Sequence, residues 1–134
     1  MIQRIQSLYL LLGGTFLVLF AVFADVWSEG IPASVGWLGP LALGLAGLAA
    51  AVSFIAVALF KDRAKQKRVI QVAQIATLAT VAAAVGGLFV REGSMVTGSV
   101  LLALAPVVAY VLLRLAQRGV DADIAKVRSM DRLR

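Results

Sequence analysis

Four apolar runs without a single charged residue, at positions 5–23, 37–60, 69–90 and 95–113, constrain this chain more than any other feature. They are 19, 24, 22 and 19 residues long. A helix rises about 1.5 Å per residue, so about 20 residues cross the roughly 30 Å of hydrocarbon in a bilayer. Each run is long enough for one crossing, and its apolar side chains occupy every face, as lipid-facing helices require. A soluble fold is the alternative, and composition excludes it. The chain is 61% hydrophobic and 15% charged, whereas soluble domains lie near 45–50% and about 25%. The charges also fall in a few short stretches instead of along every helix. The sequence therefore predicts one all-α domain, a polytopic membrane protein with four transmembrane helices.

Connections follow from what lies between the runs: a loop at 24–36, a basic loop at 61–68, a tight turn at 91–94 and a polar tail at 114–134. Alternating crossings put the N-terminus, the basic loop and the tail on one side. That side collects Arg4, five cations from Lys61 to Arg68, and six from Arg114 to Arg134, so 12 of the 13 basic residues share it with only Arg91 opposite. The positive-inside rule makes that side cytoplasmic, giving an N-in/C-in topology. This asymmetry also accounts for the net charge of +6 without invoking nucleic acid. Trp27 and Trp37 flank the opposite loop, where indoles are expected at the headgroup level, and Tyr9 and Tyr110 fall toward the cytoplasmic ends. Pro40 sits in a first helical turn, which needs no amide donor. A cleavable leader ending at Ala24 is the competing reading of the first run. At 19 residues the run exceeds the usual apolar segment of about 7–15, so cleavage is not expected.

Chemistry is scarce. The chain has no His and no Cys, which removes imidazole catalysis, thiol nucleophiles and thiolate or imidazole metal sites together. An ionisable residue inside a membrane marks a proton or ion path, and the spans contain none. All seven carboxylates lie in loops or the tail. Asp25 with Glu29, and Asp121 with Asp123, are read as solvated faces. No catalytic residue, cofactor site or metal ligand set is predicted, and the chain is expected not to be an enzyme.

What the spans do offer is packing chemistry. Gln71, Gln74 and Thr77 recur every three residues on the third run, with Thr80 beyond, as hydrogen-bonding positions toward neighbouring or partner helices. Small residues form close-approach ridges: Ala42, Ala46 and Ala50 on the second run, Ala83 with Gly87 and Ala82 with Gly86 on the third, and Gly13 with Gly14 on the first. Pro106 removes one hydrogen bond and predicts a kink near Leu102. In the tail, Gly119 is expected to break the helix and Asp121 to cap a new, short amphipathic one. Ile124, Val127, Met130 and Leu133 would then form a stripe that docks on lipid or protein. Asp123 with Lys126, and Asp131 with Arg128 and Arg134, would pair at its surface. The basic loop belongs against anionic lipid of the inner leaflet.

The opening MIQRIQSLYLLL and the closing VRSMDRLR resemble a family of small, uncharacterised four-helix membrane proteins from Bacteroidota, a domain of unknown function. The resemblance implies a bacterial inner-membrane location and covers essentially the whole chain, although its specific residues lie in Met1–Leu12 and Val127–Arg134. It brings no activity and no catalytic residues. Two functional readings follow. The first is a structural or accessory subunit, whose partners are the bilayer and a membrane protein or a second copy of the chain. The second is an oligomeric transporter or pore for a small neutral or lipidic molecule.

Overall fold

A computed structural model describes residues 2–133, with Ile2 and Gln3 placed in backbone only. Met1 and Arg134, including the expected Asp131–Arg134 pair, lie outside the described residues. Helix α1 runs Ile2–Val22, the short α2 Ala24–Ser28, α3 Leu38–Ala58, α4 Arg63–Val90 and α5 Thr97–Arg132, with a 3-10 turn at Ala33–Val35. Four of these helices are long and apolar enough to cross a membrane. Around the bundle, α1 packs on α3 and α5, and α4 packs on the same two.

The packing inverts that of a soluble bundle. The centre is built from small residues in three layers. At one end Ala56, Ala73 and Ala116 surround Leu10, Ile70 and Leu113. Leu17 sits among Ala49, Ala50, Ala76 and Ala109 in the middle. At the other end Ala42, Ala46, Ala83, Ala84 and Ala103 enclose Phe20 and Trp27. Bulky apolar side chains point outward instead: Phe89 is 81%, Ile75 71% and Leu101 62% exposed. A surface of that kind is costly in water and costs nothing in hydrocarbon. In hydrocarbon no hydrophobic drive would bring such helices together, and close backbone approach by Ala and Gly would supply the attraction. The Ala42, Ala46 and Ala50 ridge is buried. At Gly14 the Phe54 ring lies so near that a Cβ would sit 2.6 Å from its Cε1.

Helix ends differ from expectation where the chain leaves the apolar runs. The basic segment is not a loop: α4 begins at Arg63, six residues before its apolar run, and Asp62 caps it by accepting the Lys65 amide at 3.1 Å. That bond, with the nearby Lys65 charge, holds the Asp62 carboxyl below its ordinary pKa. At the other extreme, α5 does not break at Gly119. It continues through Pro106 and Gly119 for 36 residues, about 54 Å, so its last turns project well past any bilayer-spanning segment. Asp121 is therefore not an N-cap and no separate tail helix exists. The expectation failed because Gly119 is there for contact, not for breakage. The Gln6 side chain lies against it, and a Cβ would meet Gln6 Cγ at 2.6 Å.

Candidate functional site

No group of three or more His, Cys, Asp or Glu side chains suited to a metal occurs among the described residues. The polar groups gather instead at the two ends of the bundle, with a short stripe between them.

That stripe is on α4. Gln74 is buried and its Nε2 donates across to the Leu113 carbonyl of α5 at 3.3 Å. Thr77 and Thr80, both fully buried, donate to Ala73 and Ala76 one turn back on their own helix, at 2.7 and 2.8 Å. The two hydroxyls thus bond within α4 and not to neighbours, as short β-hydroxy side chains in helices readily do. Gln71 is exposed and stands apart from the other three, among the residues that line the basic groove described below.

At the end remote from the basic residues, Trp27 departs from its expected place at a headgroup interface. It is 1% exposed, its Nε1 donates to the Ala84 carbonyl at 3.1 Å, and its ring tilts against Phe20 with centroids 5.4 Å apart. The indole occupies the notch left by Gly87, where a Cβ would collide with Cζ2 and lie 3.1 Å from Cη2. Ala83 and Gly87 are thus buried, whereas Ala82 is exposed and Gly86 faces open space. Trp37 is 62% exposed. Arg91 bridges three segments beside this layer. Its Nη1 donates to Ser99 Oγ, and that hydroxyl donates to the Val26 carbonyl at 3.2 Å. Glu92 N–H donates to the Gly30 carbonyl at 2.8 Å. Gly30 has φ +84°, and a side chain there would press on Arg91 and Glu92, so both backbone conformation and space call for glycine.

The basic end is the richer of the two. Asp123 is not on a solvated face: it is 7% exposed, its Oδ2 accepts from Gln6 Nε2 at 3.0 Å and it faces Arg63 Nε at 4.0 Å. Gln66, also buried, donates to the Ala56 carbonyl at 3.0 Å. Asp121 pairs with Lys67 Nζ at 2.7 Å. These contacts tie the start of α1, the end of α3, the start of α4 and the end of α5 together. Sequence reading missed the contacts of Asp123 because the partners are far apart, Gln6 and Asp123 by 117 positions.

Beside this network the first turns of α4 and the last turns of α5 frame an open groove of about 1040 Å³. Cations dominate its walls: Lys61, Arg63, Lys67 and Arg68 from one side, Arg128 and Arg132 from the other. Ile124 and Val127 add apolar surface to the same wall. Of the expected docking stripe, Ile124 packs on the core layer, while Val127, Met130 and Leu133 are 42%, 70% and 89% exposed. Asp123 turns inward, accepting from Gln6 and facing Arg63 at 4.0 Å, and does not pair with Lys126 as expected.

The model of a domain of unknown function, DUF4293, matches residues 33–133. The matched stretch takes in three of the four long helices and leaves Met1–Leu12 outside it. No curated protein and no solved structure matches the chain.

Proposed function

The chain belongs to the DUF4293 family, and we propose that it is a non-catalytic, four-span protein of the bacterial cytoplasmic membrane that serves as a structural or accessory subunit. The observation that carries this reading is the inward use of its polar groups. Gln74, Thr77, Thr80 and the Trp27 indole all spend their donors on backbone carbonyls of this same chain. A pore or a neutral-solute path needs unspent donors and acceptors along a lumen, and the polar stripe of α4 has been consumed by packing. The second reading, an oligomeric transporter, is correspondingly weaker.

Gentle purification from the native membrane tests the first reading. A partner at fixed stoichiometry is expected. A homo-oligomer carrying a bound solute, with no other protein, would overturn it in favour of transport.

For orientation we infer N-in/C-in from the sequence asymmetry that assigns 12 of the 13 basic residues to one side of alternating spans. Reporter fusions after Arg68 and at the C-terminus should read cytoplasm, and a fusion at Glu29 the opposite face. A cytoplasmic signal at Glu29 would reverse the orientation or the number of crossings.

A further inference from the structure

We propose that the groove at the basic end is a binding site for the phosphate of an anionic phospholipid headgroup, held by Lys61, Arg68, Arg128 and Arg132. The inference rests on the membrane placement proposed above.

Three observations point to this ligand. The first is unspent charge. The groove's two carboxylates are already matched, Asp62 by Lys65 at 3.6 Å and Asp121 by Lys67 at 2.7 Å. Among the described residues no carboxylate pairs with Arg68, Arg128 or Arg132. Three guanidinium groups from two helices thus face one cleft, and guanidinium is the side chain suited to bidentate capture of phosphate oxygens.

The second is where the groove leads. Arg68 and Gln71 of its lining continue along one face of α4 into Val72, Ile75 and Leu78, spaced three and four residues apart and all exposed. A headgroup in the groove would lay its acyl chain along that apolar strip. A free anion would have no use for it.

The third concerns nucleic acid, the other polyanion. No aromatic side chain lines the groove among the described residues, so bases would find nothing to stack on.

The full chain in neutral detergent, titrated with dioleoyl phosphatidylglycerol or dioleoyl phosphatidylcholine and read by native mass spectrometry, tests the site. Phosphatidylglycerol should bind about tenfold or more tightly than phosphatidylcholine, and Arg68→Gln with Arg128→Gln should weaken it about 30-fold. Phosphatidylcholine binding should not change. Arg114→Gln with Arg118→Gln removes the same charge outside the groove and should leave phosphatidylglycerol binding intact. Should the first pair fail to fold, Arg132→Gln in the last turn of α5 gives the same reading in smaller measure. The site is overturned by equal binding of the two lipids, or by equal loss in both double variants, which would mean diffuse charge. Displacement of phosphatidylglycerol by inorganic phosphate or an RNA oligonucleotide at matched concentration would also overturn it. Carbonate extraction reads the membrane placement separately. A chain released by carbonate sinks that placement, whereas a chain that stays but shows no lipid preference sinks only the site.

Discussion

Gly87→Leu should lower the thermal midpoint of the detergent-solubilised protein by more than any substitution on the lipid-facing surface. The glycine is the floor of the notch that takes the Trp27 indole, and even a Cβ would collide with the ring. A leucine must therefore expel an indole that is 1% exposed and donates to the Ala84 carbonyl. Overpacking of a tight core costs about 1–3 kcal/mol, and the lost hydrogen bond adds about 0.5–1.5 kcal/mol. The sum is about 3 kcal/mol. Gly86→Leu is the control, because a Cβ at Gly86, next to Gly87 on the same helix, would meet nothing within 4 Å. It should cost little, and the added side chain would only extend the apolar surface. Equal tolerance of the two substitutions would show that Trp27 does not sit on Gly87.

The four long apolar helices were legible in the sequence because hydrocarbon imposes a rule on composition: a lipid-facing helix excludes charge from every face for about 20 residues. That rule marks where a bilayer begins and ends, and it says nothing of where a helix does. Hence the core of α4 was recovered but not its first turns. Arg63 to Arg68 reads Arg-Ala-Lys-Gln-Lys-Arg, all good helix formers, and Asp62 is a good cap. Propensity carried that signal, and charge masked it. Gly119 misled for a related reason. A glycine in a polar stretch looks like a stop, and only the presence of Gln6 on the adjacent α1 reveals it as a contact. Trp27 was misplaced because belts of interfacial indoles are a tendency of membrane proteins at large, while its burial depends on Gly87, 60 residues away. Long-range pairs of this kind have no local signature, and the contacts of Asp123 with Gln6 and Arg63 and of Asp121 with Lys67 are of that kind. The groove itself was half visible: the cations of the 61–68 segment stood out, but nothing local showed that Arg128 and Arg132 would face them.

At that basic end, Asp123→Ala should loosen the junction of α1, α4 and α5, and the size of the effect depends on which contact matters. Its Oδ2 accepts from Gln6 at 3.0 Å and faces Arg63 at 4.0 Å. The Arg63 side chain is 37% exposed, so water screens that pair and its worth is about 0–1 kcal/mol. Gln6 is different. It is 3% exposed, and removing its acceptor strands a buried amide at a cost of about 1–3 kcal/mol. Asp123→Ala should thus cost about 2–3 kcal/mol in all, while Asp123→Asn retains a carbonyl acceptor for Gln6 and should cost about 1 kcal/mol or less. Gln6→Leu in the Asp123→Ala background should recover part of the loss by removing the stranded donor, a coupling that a double-mutant cycle isolates. The same alanine should speed amide exchange in α5 beyond Val120, past the end of the apolar run at Leu113, where Asp123 is one of the helix's ties to the bundle. Equal losses for alanine and asparagine would mean that charge, not the Gln6 bond, fastens the junction. No loss for either would mean that the last turns of α5 are not packed on α1 and α4 at all, and the groove between them would lose one of its walls.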